Sequence, residues 1–211
     1  MRYRFLRFPE GRVKALTLSY DDGCIYDKPL IETADKYGIK VTLNINSDWV
    51  GDGDWHLSVD DLKELTSNGH EIAVHGARHI ANGNVSAIDG IRDVLECRQR
   101  LENEFDAIIR GMAYPDTGIT QVVGGVSKSE IKAYIKSLGI AYSRTLGGDN
   151  DRFDLPEDFY EWMPTAHHNN PKLMEYLKKF ISEPIPDYSA IRTPKLFYLW
   201  GHSYEFNDNN N

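Results

Sequence analysis

The chain has 211 residues, 41% of them hydrophobic and 27% charged, the balance of one soluble globular domain and too short for two. A formal net charge of −8, with no basic stripe, excludes a nucleic-acid polyanion as the main partner. No apolar run approaches a membrane span, and the start, MRYRFLRFPEGRVK, lacks the apolar core of a signal peptide, so the expected compartment is the cytoplasm unless a leader has been removed.

Strand-like and helix-like stretches alternate. Val13 to Tyr20 alternates in hydropathy and runs into an Asp-Asp-Gly turn. Asp27 to Tyr37 reads as a helix closed by Gly38, and Ile39 to Asn46 as the second strand. Ser58 caps a helix with Asp60 and Asp61 in its first turn, ending at Asn68-Gly69. Glu71 to Val74 is a short buried strand, Val85 to Phe105 a long amphipathic helix, and Ala107 to Tyr114 a strand stopped by Pro115. Ser127 to Leu138 is a helix with Gly139 at its end, followed by a strand over Ile140 to Thr145. Phe159 to Thr165 is ambiguous, with a sixth strand the favoured reading. Lys172 to Ile181 is helical and Lys195 to Trp200 is the last strand.

This alternation predicts parallel strands with helical crossovers, an α/β fold. About seven units suit a distorted, TIM-barrel-like (β/α) barrel better than an open sheet. Residues 1–211 read as a single domain. The polar tail Asn207 to Asn211 reads as frayed, and the lack of a helix-forming stretch after the last strand reads as truncation. Cys24 and Cys97 read as small core hydrophobes in a reducing compartment.

The unusual residues fall at strand ends. Asp21-Asp22-Gly23 follows the first strand, and His75 follows the third, with His79 one helical turn beyond. Tyr114-Pro115 ends the fourth, Arg144 the fifth and His202 the last. In a parallel barrel those ends form one rim, where residues distant in sequence converge. Two histidines at i, i+4 on a helical turn face the same way, close enough to share a metal. With an aspartate they make a ligand set that leaves positions open, as catalytic sites do. Successive side chains on a strand point to opposite faces, so two adjacent aspartates reach one site only across a turn, and Gly23 gives the backbone that freedom.

Ser-Tyr-Asp21-Asp22-Gly23, His75-x-x-x-His79 and Leu199-Trp-Gly-His202 resemble the first, second and last motifs of the polysaccharide deacetylases, the NodB-homology or carbohydrate esterase family 4. The motifs occur in the family's order from Val13 to His202. The resemblance implies a distorted barrel of about seven strands and hydrolysis of N- or O-acetyl groups on a carbohydrate. It implies Asp21 as general base, Asp22, His75 and His79 as metal ligands, His202 as general acid, and Leu199 lining the acetyl pocket. Tyr114, Pro115 and Asp116 then belong to the substrate side, with a backbone N–H near Asp116 receiving the oxyanion. The expected cofactor is a divalent metal, zinc first, with cobalt, nickel, manganese or iron also suited to such donors. The expected partner is an acetylated carbohydrate, such as a chitooligosaccharide or a peptidoglycan fragment.

Two motifs depart from the pattern. The family's third motif places an arginine before the proline, and the position aligned on Pro115 is Ala113. Arg110 lies too early on its strand, so Arg144 is expected to supply the missing charge to Asp21, the alternative being a surface arginine. For the fourth motif the region offers Phe153-Asp154 and Trp162, with Trp162 a candidate wall of the acetyl pocket. His167-His168 follow the sixth strand, and at most one of them is expected to face the metal. Trp49 and Trp55 flank a loop after the second strand and are candidates for stacking on sugar rings. Two rival functions share these residues: a metal-dependent amidohydrolase on a non-sugar amide, and an inactive carbohydrate-binding domain on the same scaffold.

Overall fold

A computed structural model describes residues 4–147, 150–185 and 191–208. In chain order the elements are β1 (Arg4–Phe5), β2 (Lys14–Asp21), α1 (Asp27–Lys36), β3 (Val41–Ile45), α2 (Val59–Thr66), β4 (Glu71–Val74) and α3 (Ala87–Phe105). Then follow β5 (Gly111–Ala113), α4 (Lys128–Ser137), β6 (Tyr142–Arg144), β7 (Ala166–His167), α5 (Leu173–Ser182), β8 (Ile191–Arg192), β9 (Lys195–Gly201) and α6 (Glu205–Asp208). The central strands and α1 to α5 fall where periodicity and capping residues place them. Ser58 and Ser127 each close a capping box, with Asp61 and Glu130 respectively, which satisfies amides that a helix start would otherwise leave bare.

Seven strands form one parallel sheet in the order β6-β5-β4-β3-β2-β9-β7, a curled, distorted (β/α) barrel. The sheet carries two different faces, because side chains alternate along each strand. Leu18, Tyr20, Leu43, Ile45 and Val74 pack with Ile31 of α1, Leu62 of α2, Val94, Cys97 and Leu101 of α3, and Ile131 and Ile135 of α4. Each such aliphatic side chain contributes roughly 1.5–3 kcal/mol by leaving water. Paired residues in register share a face, so the opposite rows run Thr17-Ser19-Asp21, Thr42-Asn44 and Tyr198-Trp200. That inner face is polar and aromatic, and it ends in the candidate site.

The sheet does not close by a full strand pair. The segment 159–167 stitches it: the Ser143 N–H donates to Phe159 O (2.8 Å) and the Thr145 N–H to Trp162 O (2.9 Å), while the Thr165 N–H donates to Tyr198 O (2.8 Å). The stretch that was ambiguous in sequence is therefore a bridge between the β6 and β9 edges, with only Ala166–His167 a strand. A second cluster, Phe153, Ala166, Tyr176, Phe180 and Phe197, fixes α5 against β9.

Cys24 and Cys97 are free and buried. β1 and β8, two residues each, form a separate parallel pair that the sequence did not signal. The four-residue α6 follows the last strand. Of the polar tail, Asn209 to Asn211 lie outside the described residues. Among the described residues no helix is long and apolar enough to cross a membrane.

Candidate active site

The C-terminal ends of the strands carry a cavity of about 250 Å³ lined by Asp21, His75, His79, Tyr114, Asp116, Leu146, Trp200 and His202. Asp21 is the last residue of β2 and is buried. Its Oδ1 accepts hydrogen bonds from Asn44 Nδ2 (2.9 Å) and Arg144 Nη2 (2.7 Å), and its Oδ2 from Arg144 Nη2 (2.5 Å). Burial alone would raise the Asp21 pKa, but the Arg144 charge, aided by His75 and His202, outweighs it and holds the carboxyl below its ordinary value. Arg144, 0% exposed, also lies under the Trp200 ring, with Cζ 4.5 Å from the centroid.

Asp22 leaves the strand in the left-handed region, φ 79°, followed by Gly23 at φ 67°, and both aspartates thereby come near His75 Nε2. The freedom that the turn needs is thus taken by Asp22 as well as by the glycine. Asp22 Oδ1 is 3.6 Å from both His75 Nε2 and His79 Nε2, and the ligand atoms of the three residues all lie within 4.8 Å of one another.

The His75–His79 segment is not the helical turn that the i, i+4 spacing suggested. It is a loop with left-handed Gly76 (φ 75°) and His79 (φ 56°). Asp93 of α3 holds it: the Ala77 N–H donates to Asp93 O (3.2 Å), and the Arg78 N–H to Asp93 Oδ1 (3.1 Å). A Cβ at position 76 would sit 2.3 Å from Asp93 Oδ2, so only glycine fits. His75 Nδ1 donates to Ala113 O (2.9 Å), which assigns the ring proton to Nδ1 and turns the Nε2 lone pair toward Asp22. Burial lowers the His75 pKa, which keeps the ring neutral and able to ligate.

These residues fit a divalent cation. Two imidazoles and a carboxylate make a borderline-soft donor set, and Asp22 Oδ1 is a buried oxygen without a hydrogen-bond partner among the described residues. His202 Nε2 lies across the cavity, 3.9 Å from Asp22 Oδ2.

Several expected substrate residues sit elsewhere. Leu199 is not at the cavity: it packs against both apolar clusters, on the outer face of β9. A residue sharing a face with His202 must be two positions away, and that residue is Trp200, which lines the cavity and donates from Nε1 to Gly147 O (2.6 Å). Trp162 is likewise remote. It packs edge-on against Tyr142 and Tyr198, and lines a second cavity with Leu16, Thr42 and Glu71 at the strand starts. Asp154 pairs with Lys195 (2.8 Å) at the first residue of β9. Pro115 is buried beside the Gly76 loop, while Tyr114 and Asp116 reach the cavity. Asp116 has φ 48° and, among the described residues, a backbone N–H without an acceptor, whereas the Tyr114 N–H is taken by Arg144 O (2.9 Å).

Trp49 stacks on His79 (centroids 5.3 Å apart) and on His56 (5.2 Å), so it braces the His75–His79 loop. Trp55 is 45% exposed on the rim, against Tyr26 and Tyr204. Leu146 and Glu205 drew no notice in the sequence. Glu205, three residues past His202, carried only its spacing as a signal.

Comparison with known proteins bears on the family and the fold. The sequence model described as polysaccharide deacetylase matches residues 8–141. No curated protein matches the sequence. Among solved structures, the Streptococcus pyogenes deacetylase PplD in complex with acetate is 17% identical with a TM-score of 0.58, over 67% of this chain and 59% of that one. The de-N-acetylase from Aggregatibacter actinomycetemcomitans is 16% identical with a TM-score of 0.61, over 82% of this chain and 76% of that one. A CE4 family pseudoenzyme from Bacillus anthracis is 15% identical with a TM-score of 0.57, over 96% and 60%. The chain therefore spans less than two thirds of two of these three structures, and the likeness at such identities is one of fold. The sequence match covers more than half of the chain, and with it the chain belongs to the polysaccharide deacetylase family.

Proposed function

We propose that the chain is a divalent-cation-dependent deacetylase that hydrolyses N- or O-acetyl groups on a carbohydrate. One observation carries the reading: an ionised Asp21, held by Arg144, lies beside a separate ligand set of Asp22, His75 and His79. Binding alone requires no carboxylate kept charged at the expense of a buried ion pair. Zinc suits the donors best, and cobalt, nickel, manganese and iron suit them next. Such a cation supplies Lewis acidity, bringing the pKa of water from about 15.7 toward about 7.

The chain's own residues do the rest. Asp21 accepts the proton of the attacking water, a contribution of roughly 10²- to 10⁴-fold in rate. Arg144 keeps it ionised and fixed in direction. The N–H of Asp116 donates to the carbonyl oxygen as charge gathers there. His202, across the cavity from the ligands, gives a proton to the departing nitrogen or oxygen as the bond to the acetyl carbon breaks. Acetate and the freed amine or hydroxyl are the products. Trp200 and Leu146 offer the apolar wall that an acetyl methyl needs.

The test is acetate release from acetylated chitooligosaccharide, peptidoglycan fragments and acetylxylan by zinc-loaded protein, with Asp22→Ala as control. Turnover that disappears in the control supports the proposal. Binding of these sugars without acetate from any of them would establish the inactive binding domain instead, a reading favoured by the pseudoenzyme among the similar structures. Turnover confined to simple acetamides would establish an amidohydrolase.

A further inference from the structure

His167 and His168 are not absorbed by that chemistry, yet they lie behind His202 in a cluster built on one oxygen. Glu205 Oε2 is 3.2 Å from His167 Nε2, 2.9 Å from His168 Nε2 and 3.5 Å from His202 Nδ1. It also accepts the His202 backbone N–H at 3.1 Å. His202 Nδ1 is buried and makes no hydrogen bond among the described residues, and the Glu205 carboxylate faces it at 3.5 Å.

Three imidazoles around a carboxylate suit either a second cation or a hydrogen-bonded hub, and the tautomers discriminate. The Asn169 N–H donates to His167 Nδ1 (3.2 Å), so the neutral ring carries its proton on Nε2, aimed at Glu205. A cation on that Nε2 would require moving the proton and losing the hydrogen bond. His168, 3% exposed at its side chain, is fixed by Tyr20 OH at its Nδ1 (3.2 Å), by stacking on Tyr20 and by the tilted ring of Phe206. The rings of His167, on β7, and of His168, just after it, therefore flank the carboxylate, and the carboxylate faces His202.

We infer that Glu205 is a positioning residue: it holds the His202 ring with Nδ1 toward itself, which turns Nε2 to the cavity. This rests on the reading of His202 as general acid. The same carboxylate accepts the His202 backbone N–H and lies against its ring, which favours the orientation with Nδ1 toward Glu205. An acid so fixed matters most where the leaving group must be protonated. An N-acetylated amine must be, whereas 4-nitrophenolate leaves without a proton.

The experiment compares Glu205→Gln, Glu205→Asp and His202→Gln on N-acetylated chitooligosaccharide and on 4-nitrophenyl acetate. For Glu205→Gln we expect kcat on the amide to fall roughly 10- to 100-fold with KM little changed, and the aryl ester to lose at least about ten-fold less. Glu205→Asp, which keeps the charge one methylene further back, should fall between. ¹⁵N spectra of the rings should place the His202 proton on Nδ1 in the native chain and show that preference lost in Glu205→Gln. Equal losses on both substrates with an unchanged His202 spectrum would overturn the inference in favour of a merely structural Glu205. Loss of one bound cation per chain in Glu205→Gln would overturn it in favour of a second metal site. If His202→Gln affects amide and ester alike, the reading of His202 as acid fails, whatever Glu205 does.

Discussion

Arg144 and Asp21 lie 123 residues apart in the chain and meet as a buried ion pair at 2.5 Å. The register explains how. Ala113 on β5 is paired directly with Arg144 on β6, so the position at which the family's third motif carries an arginine is filled from the next strand at the same height. Removing Arg144 strands a buried carboxylate, which costs about 3–5 kcal/mol. Arg144→Met should lower kcat/KM roughly 100-fold. It should also shift the acid limb of the pH–rate profile upward, because burial of Asp21 is then unopposed by the guanidinium and its pKa rises. A limb that stays in place would show that Arg144 does not hold Asp21 ionised.

Cation binding should be visible in stability as well as in turnover. Zinc at about 100 times its dissociation constant adds about 2.7 kcal/mol, or a rise in Tm of roughly 5–10 °C for a chain of this size. Asp22→Asn retains a residue type that tolerates the positive φ of position 22, so the fold should survive while the zinc-dependent rise is lost. A rise of native size in Asp22→Asn would place the cation elsewhere.

Leu199 and Trp200 separate stability from chemistry. Leu199→Ala should cost about 2–4 kcal/mol through its cavity, yet leave kcat/KM within a few-fold. Trp200→Ala removes a wall of the site and the ring over Arg144, and should lower kcat/KM by at least roughly ten-fold. Trp200→Phe, which keeps a ring, should recover part of it. The reverse pattern, with Leu199 the kinetically costly residue, would sink the assignment of the wall.

Asp27, 0% exposed at the start of α1, has its pKa pushed up to about 8 by burial, with the Asp22 and Asp21 charges adding to it. The folded chain then binds this proton more tightly than the unfolded one. Its contribution is fully present below the unfolded value near 4 and is lost as pH rises toward 8, at about 1.4 kcal/mol per pH unit within that window. Asp27→Asn, neutral at every pH, should therefore melt close to the native protein at pH 5 and above it at pH 8. Parallel melting curves across this range would refute a protonated Asp27.

Much of this was legible in sequence, for physical reasons that vary by residue. The central strands and α1 to α5 announce themselves through periodicity and capping residues, and strand ends converge because parallel strands all point one way. The outer-face position of Leu199 was also legible, since two-residue alternation puts Trp200, not Leu199, beside His202. The loop at His75–His79 was not, because i, i+4 spacing carries no handedness and the constraint comes from Asp93 on α3. Glu205 was hidden for a similar reason: β7 and α6, which bring its partners together, are two and four residues long and carry no period. Trp162 misled because an aromatic on the bridge between β6 and β9 can face either mouth of the barrel.

That bridge has a consequence for how the molecule breathes. A few hydrogen bonds, from Ser143 and Thr145 to the segment 159–167 and from Thr165 of that segment to Tyr198, secure a seam that a full ladder would otherwise zip. Amides there should exchange with deuterium before those of β2 and β3, and the first partial opening should run along the side of Arg144. Arg144, which holds Asp21, thus stands beside a join that a full strand pair does not close. Heat should part Asp21 from its guanidinium before it melts the rest of the sheet.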